Sequence, residues 1–291
     1  MPTSGVWQID GKLCLVTGAT SGIGQVVARE LARRGARVLM VARDRVRGRS
    51  AVERIRAGVP GARVELLTCD LARLGDVRKL AKAVSDRYDH LDVLVNNAGV
   101  SKFSREVTED GLETTFAVNH LAPFLLTNLL LDRLIAAPRA RVVTVSSDVH
   151  KQVRSVPWDD LQGEREFKPL QAYNRSKLMN IWFTRVLAAR LSGTGVTANC
   201  LNPGFVHTGL AREARGAFAL FTRLTRPFQK SPEQGAQTAI HLAISPGVTD
   251  VTGAYFSNSK AAEPSPLARD DDAARRLWGL SAALCDLPSG L

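Results

Sequence analysis

The stretch Leu13-Cys14-Leu15-Val16-Thr17-Gly18-Ala19-Thr20-Ser21-Gly22-Ile23-Gly24 decides how the rest of the chain is read. Its first five residues form a short, mostly apolar run, as expected of a strand covered on both faces. Glycines follow at 18, 22 and 24 in a Gly-x-x-x-Gly-x-Gly spacing, which differs from the commoner Gly-x-Gly-x-x-Gly. Glycine tolerates positive φ and lets a ligand approach the backbone closely. Residues 25–34 then show helical spacing through Val26, Val27, Glu30, Leu31 and Arg34, and Gly35 ends them. The start of a helix presents unpaired N–H groups and a partial positive charge, which suits a pyrophosphate. Three glycines after a strand could also make an ordinary tight turn, but the first strand–helix junction is where a dinucleotide site belongs.

Working outward, further strands are predicted at 37–42, 64–69, 91–95, 141–146, 196–201 and 253–256. Helices are predicted at 49–57, 75–87, 108–135, 172–191 and 232–245. Strands alternating with helices predict an α/β protein with a doubly wound parallel sheet, the Rossmann class. Ligands of such sheets bind beyond the carboxyl ends of the strands. One domain spanning 1–291 is expected, with a cofactor half at about 11–150 and a catalytic helix and variable substrate lid at about 151–291. Residues 148–170 and 210–230 interrupt the alternation, and each is long for a connection. The second mixes Phe218, Leu220, Phe221, Leu224 and Phe228 with Arg212, Arg215, Arg223, Arg226 and Lys230. That composition fits an apolar-lined lid, an interfacial membrane helix or plain core packing.

Composition narrows the function classes. Among the 291 residues, 45% are hydrophobic and 23% charged, which fits a globular protein. The net charge of +11 could attract nucleic acid, anionic lipid or a polyanionic cofactor. The cations are spread along the chain without interleaved aromatics or a nucleic-acid-binding motif, so no specific nucleic-acid partner is expected. No apolar run reaches the ~18 residues of a membrane span, and residues 1–12 carry no signal-like apolar core. Cys14, Cys69, Cys200 and Cys285 are scattered without a Cys-x-x-Cys pair. This points to a reducing, cytoplasmic setting and to neither a disulfide framework nor a metal site.

Candidate chemistry follows the strand ends. The second strand closes in Val41-Ala42-Arg43. An acidic residue there would bind the 2′-hydroxyl of NAD, whereas arginine accommodates the 2′-phosphate of NADP; a plain surface arginine is the alternative. Tyr173-Asn174-Arg175-Ser176-Lys177 opens the long helix. Positions i and i+4 share a helix face, so phenol and ammonium can reach one space. A nearby cation favours tyrosinate and lowers the tyrosine pKa, which would make Tyr173 a tuned acid–base group. Ser146 and Ser147 follow the fifth strand, where a hydroxyl can steady charge developing on a carbonyl oxygen or simply cap a turn. Asn96-Asn97-Ala98-Gly99 follows the fourth strand as a turn or a ligand wall. Asn119 lies inside a predicted helix, either buried for a polar role or facing solvent.

Taken together, these residues resemble the short-chain dehydrogenase/reductase family, and within it the retinol dehydrogenase and WW-domain oxidoreductase branch. The resemblance runs from about residue 11 to residue 288 and rests on 17–24, Asp70-Leu71, 96–99, Asn119-His120, Ser147, 173–177 and Pro203-Gly204. Leu161-Gln162-Gly163-Glu164, Gln234-Gly235-Ala236-Gln237-Thr238 and Ala274-Arg275-Arg276-Leu277-Trp278 point to the branch. The resemblance implies that Tyr173 exchanges a proton with the substrate oxygen, that Lys177 tunes it and binds the nicotinamide ribose, and that Ser147 orients the substrate. It implies that Asn119 holds a water linking Lys177 to solvent. Gly18, Thr20, Ser21, Gly22, Ile23 and Gly24 would cradle the pyrophosphate, and Arg43 would select NADP(H). Asp70 and Leu71 would meet the adenine, Asn97, Ala98 and Gly99 the adenosine ribose side, and Pro203, Gly204, Val206 and Thr208 the nicotinamide. An apolar aldehyde, ketone or retinoid-like alcohol is the implied substrate, and a homodimer or homotetramer the implied assembly. Membrane-bound members carry an apolar N-terminal anchor; residues 1–12 show none, so no transmembrane anchor is expected. The alternative is a catalytically silent NADP(H)-sensing protein, against which the joint presence of Asn119, Ser147, Tyr173 and Lys177 argues.

Overall fold

Apolar runs become the centre of one continuous sheet. The computed structural model describes residues 7–206 and 229–288. Its strands are β1 (Leu13–Thr17), β2 (Arg37–Ala42), β3 (Arg63–Thr68), β4 (Val93–Asn96), β5 (Ala140–Val145), β6 (Val196–Asn202), β7 (Tyr255–Ser257) and β8 (Lys260–Ala261). They lie in the order β3-β2-β1-β4-β5-β6-β7-β8. Pairing is parallel throughout, except that β7 and β8 form an antiparallel edge. Chain order reverses between β1 and β4, which opens a crevice above their carboxyl ends.

Every residue of β1, β4, β5 and β6 is buried. Successive side chains of a strand point to opposite faces. Leu13 and Leu15 accordingly join one apolar cluster with Phe124, Trp182 and Trp278, while Cys14 and Val16 join another with Val27, Leu31, Val38 and Ile240. The helices covering these faces are α1 (Gly22–Arg33), α2 (Arg45–Gly58), α3 (Leu74–Ser85), α4 (Thr114–Phe116), α5 (Ala122–Leu129), α6 (Leu131–Ile135), α7 (Pro169–Arg190), α8 (Pro232–Ile244) and α9 (Asp271–Leu284). Among the described residues no helix is long and apolar enough to cross a membrane.

Three elements differ from the sequence expectation. Helix α2 begins at Arg45 rather than 49, because the Asp44 carboxylate accepts the Arg47 N–H at 2.8 Å and caps it. The helix expected over 108–135 starts only at Thr114, where Glu113 accepts the N–H groups of Thr115 and Phe116 at 2.7 Å each. It then widens into one π-helical turn at Ala117–Leu121 before α5. Pro123 lacks an N–H and its ring displaces the carbonyl four residues back, which is Asn119, so the regular ladder cannot run through this point. Helix α9, with no counterpart in the sequence expectation, seats Ala274, Leu277, Trp278, Ser281 and Ala282 in the core. Its Trp278 ring lies 4.9 Å from Phe124 and 6.0 Å from Phe183, centroid to centroid.

Candidate active site

The glycine turn is built for close approach. Gly18 and Gly22 take φ of +65° and +57°, in the left-handed region that side chains disfavour. A Cβ on Gly24 would sit 2.5 Å from the Gly18 carbonyl oxygen, so α1 can enter the turn only with glycine there. Ser21 precedes α1 without capping it through its side chain, leaving the first amides of the helix to a ligand. Ile23 buries its side chain in the core below and offers only backbone. The turn is braced from behind by the segment leaving β4. Asn97 donates its side-chain amide to the Thr17 and Gly18 carbonyls at 2.8 and 3.3 Å. The Thr17 hydroxyl oxygen accepts the N–H groups of Asn97 and Ala98 at 3.0 and 3.1 Å. The Asn97 side chain thus holds the glycine turn in shape, and Ala98 and Gly99 continue the segment that leaves β4.

At the neighbouring strand ends, Ala42 is buried and Arg43 exposed. Asp44, next in sequence, is engaged at the start of α2 by the Arg47 N–H, which holds its carboxyl below the usual carboxylate range. Asp70 accepts the Ala72 N–H at 3.0 Å, fixing the bend after β3, and Leu71 packs on the core.

Helix α7 carries the second half of the site. Pro169 occupies its first turn, where a missing N–H does no harm. Tyr173 and Lys177 share a face, with the Lys177 Nζ 5.5 Å from the centre of the Tyr173 ring. Lys177 is buried and donates to the Val145 carbonyl at 3.3 Å, where Asn180 also donates at 3.1 Å. The expected lowering of the Tyr173 pKa by Lys177 is not found in this arrangement. Burial pushes the phenol up to about 12 and the ammonium down to about 8, because both lose water and Lys177 lies beside the ring with its bond directed to a backbone carbonyl. Among the described residues the Tyr173 hydroxyl has no hydrogen-bond partner.

Asn119 is fully buried, not solvent-facing. Its amide nitrogen donates to the Val100 carbonyl and the Ser176 hydroxyl, both at 2.9 Å, and its oxygen accepts the Val100 N–H at 2.7 Å. It lies in the π-helical turn, and Pro123 cannot donate to its backbone carbonyl. A Cβ on Gly99 would fall 3.4 Å from the Asn119 side-chain oxygen and 3.5 Å from the Lys177 Nζ. Gly99, Asn119 and Lys177 thus meet at one point above β4.

The two serines after β5 divide their roles. Ser146 is buried and donates to the Lys177 carbonyl at 2.7 Å, tying β5 to α7. Ser147 is half-buried and has only a long contact, 3.4 Å, from the Val149 N–H. Of the two hydroxyls, only that of Ser147 lacks a strong partner among the described residues. After β6, Gly204 turns with φ of +85° and donates its N–H to Asn202 at 3.0 Å, while Val206 pairs with Lys230. Thr208 and residues 210–228 of the expected lid lie outside the described residues. Among the described residues no group of three or more His, Cys, Asp or Glu could hold a metal ion.

An amide-lined turn for pyrophosphate at the crevice, together with a half-buried phenol and a buried ammonium on the helix beside it, defines a dinucleotide-dependent oxidoreductase. Residues 12–217 match the family of short chain dehydrogenases, and the chain belongs to that family. Its relatives include human retinol dehydrogenase 12, 43% identical over 277 residues that cover 95% of this chain and 87% of the relative. Among solved structures, an uncharacterized protein from Mycobacterium paratuberculosis is 33% identical with a TM-score of 0.79, covering 99% of this chain and 98% of its own. The NADP active-site complex of Pseudomonas aeruginosa RhlG is 28% identical with a TM-score of 0.69, covering 86% and 96%. The chain is thus an oxidoreductase of the retinol dehydrogenase-like kind.

Proposed function

We propose that this protein reduces apolar aldehydes or ketones, or oxidises the matching alcohols, with NADP(H), and that Tyr173 handles the proton. The observation that carries this reading is the convergence of Tyr173, Lys177, Asn119 and Gly99 beside the glycine turn. The residues present fit a nicotinamide dinucleotide: the turn admits a close pyrophosphate, and Gly99, on the segment after β4, lies beside Asn119 and Lys177. Gly18, Thr20, Ser21, Gly22, Ile23 and Gly24 would hold the pyrophosphate, Asp70 and Leu71 the adenine, and Asn97, Ala98 and Gly99 the adenosine ribose. Pro203, Gly204, Val206 and Thr208 would border the nicotinamide. When bound, the dinucleotide supplies or accepts the hydride. Ser147 donates its hydroxyl to the substrate oxygen and fixes its position. The Tyr173 Oη gives that oxygen its proton in reduction and takes it back in oxidation. Lys177 binds the nicotinamide ribose, and Asn119 holds the water through which Lys177 is reprotonated.

Preference for NADP(H) is supported by the exposed Arg43 and by the engagement of Asp44 at the start of α2, which leaves the arginine as the charge facing a 2′-substituent. Replacing Arg43 with Ala and Ala42 with Asp is expected to move the ratio of kcat/KM values from NADPH towards NADH. An unchanged ratio would remove Arg43 from that role. An apolar substrate is supported by the likeness to the retinol dehydrogenases and by exposed Phe103, Leu170 and Phe205. These lie on segments that leave β4, enter α7 and leave β6. Purified protein given NADPH and a graded series of aliphatic and aromatic aldehydes is expected to oxidise the cofactor, faster with the longer apolar members. Tight NADPH binding with no turnover across the series would instead indicate the silent sensor.

A further inference from the structure

His150 is fully buried, three residues beyond Ser147, on the 3-10 turn Asp148–Gln152. Its backbone N–H donates to the Ser147 carbonyl at 3.2 Å, and its ring Nδ1 lies 2.7 Å from the same oxygen. A carbonyl only accepts, so Nδ1 must carry the hydrogen. On the far side of the ring, the backbone N–H of Ser265 donates to Nε2 at 3.0 Å, so Nε2 must be bare. The two contacts are compatible only with the neutral Nδ1–H tautomer. A second proton would set one N–H against another inside the core, and burial correspondingly holds the imidazole pKa below its ordinary value. The Tyr255 ring meets the imidazole edge-on at 5.1 Å, and its hydroxyl donates to Asp148 at 3.1 Å. Asp148 is held further by Asn202 at 2.5 Å and by Lys151 at 2.7 Å.

We propose that His150 is a positioning residue for Ser147: its Nδ1–H fixes the peptide from which the serine hydroxyl projects, and the C-terminal segment at Ser265 fixes the tautomer that makes this possible. Ser147 stands at the end of β5 in extended conformation, with φ of −169° and ψ of 155°. Among the described residues its hydroxyl has no strong partner, so its aim depends on how the peptide is held. Asp148 is gripped by Tyr255, Asn202 and Lys151. Among the described residues the Ser147 carbonyl is held by His150 alone, through backbone and ring. A hydroxyl displaced by even part of an ångström loses the substrate oxygen in the transition state. This role rests on the proposed function of Ser147 in orienting the substrate.

The test contrasts two substitutions of similar polarity. In His150→Asn the side-chain amide falls near Nδ1 and can still donate to the Ser147 carbonyl. In His150→Gln the longer chain carries its amide to the place of Nε2, facing Ser265, and leaves that carbonyl without the ring donor. With NADPH and a reactive aldehyde, His150→Gln is expected to lower kcat about 10- to 100-fold, with NADPH affinity retained, and His150→Asn to recover most of it. On a Ser147→Ala background, His150→Gln should cause no further loss. Equal kcat values for the two variants, or an undiminished His150→Gln effect on that background, would overturn the assignment. A normal kcat for Ser147→Ala itself would instead remove the reading of Ser147 on which it stands. Nitrogen-15 chemical shifts of the unmodified protein give a check independent of variant folding: Nδ1 should be protonated and Nε2 bare, and the opposite tautomer contradicts the proposal.

Discussion

Tyr173→Phe is expected to lower kcat for carbonyl reduction by about 10²- to 10⁴-fold, the range of a lost general acid. The substitution deletes one oxygen and keeps the ring that lies 5.5 Å from the Lys177 Nζ. The hydroxyl has no protein partner among the described residues, so its removal breaks no internal hydrogen bond there. Thermal stability should hold, because no internal hydrogen bond among the described residues is lost. Dinucleotide affinity should also be nearly unchanged, since the pyrophosphate turn and Lys177 are untouched. The combination of a collapsed kcat with intact binding and folding is the signature of a group needed only in the transition state. A variant with undiminished kcat would mean that another donor delivers the proton.

Lys177→Met is expected to make the protein more stable while abolishing turnover. Lys177 is buried, and its ammonium pKa falls from the ordinary 10.5 to about 8. The sign follows from linkage: between those two values the unfolded chain binds more protons than the folded one, so stability rises with pH across that window. Below pH 8 the full penalty of burying the charge is present. At 1.36 kcal/mol per pKa unit it amounts to on the order of 3 kcal/mol. Methionine fills similar space without the charge, and the Val145 carbonyl keeps its bond from Asn180 at 3.1 Å. At roughly 2–4 °C per kcal/mol, the melting temperature at pH 7 should rise by about 6–12 °C, and by much less at pH 10. An unchanged or lower melting temperature at pH 7 would show that Lys177 carries no such penalty. Retention of this lysine despite its burial is what a stability–activity trade-off predicts.

Much of this molecule is written locally. The apolar runs at Leu13–Thr17 and Arg37–Ala42 are strands at those residues, because a strand covered on both faces needs nothing but apolar side chains and a turn. The glycines at 18, 22 and 24 are legible for the same reason: positive φ and a close helix entry can be met by little else. The spacing of Tyr173 and Lys177 follows from helical geometry alone. What escaped the sequence depends on distant partners. The burial of Asn119 and the division of labour between Ser146 and Ser147 are set by the packing of α7 against β5. The upward shift at Tyr173 comes from surrounding atoms contributed by several elements, whereas i and i+4 proximity predicts a downward one. Nothing local reveals that the Asn97 amide braces the glycine turn, because the Thr17 and Gly18 carbonyls that take it up lie some eighty residues earlier. Other misses were readable. Asp44 is a good cap, Pro123 interrupts a helix by its missing N–H, and Ala274, Leu277, Trp278 and Ser281 carry the i, i+3, i+4, i+7 spacing of α9. For His150 the ring contact to the Ser147 carbonyl is local, but the one that fixes its tautomer is visible only once Ser265 returns across the turn after β5.

The central claim is that Tyr173 and Lys177 serve a hydride transfer in this crevice. It is tested most directly by reducing an apolar aldehyde with NADPH carrying deuterium at the transferable position of nicotinamide C4. Deuterium is expected on the carbinol carbon of the product, with unlabelled oxygen-bound hydrogen exchanging from solvent, and this transfer is expected to be lost in Tyr173→Phe. Alcohol formed without deuterium on carbon, or labelled equally fast by the Phe variant, would contradict it.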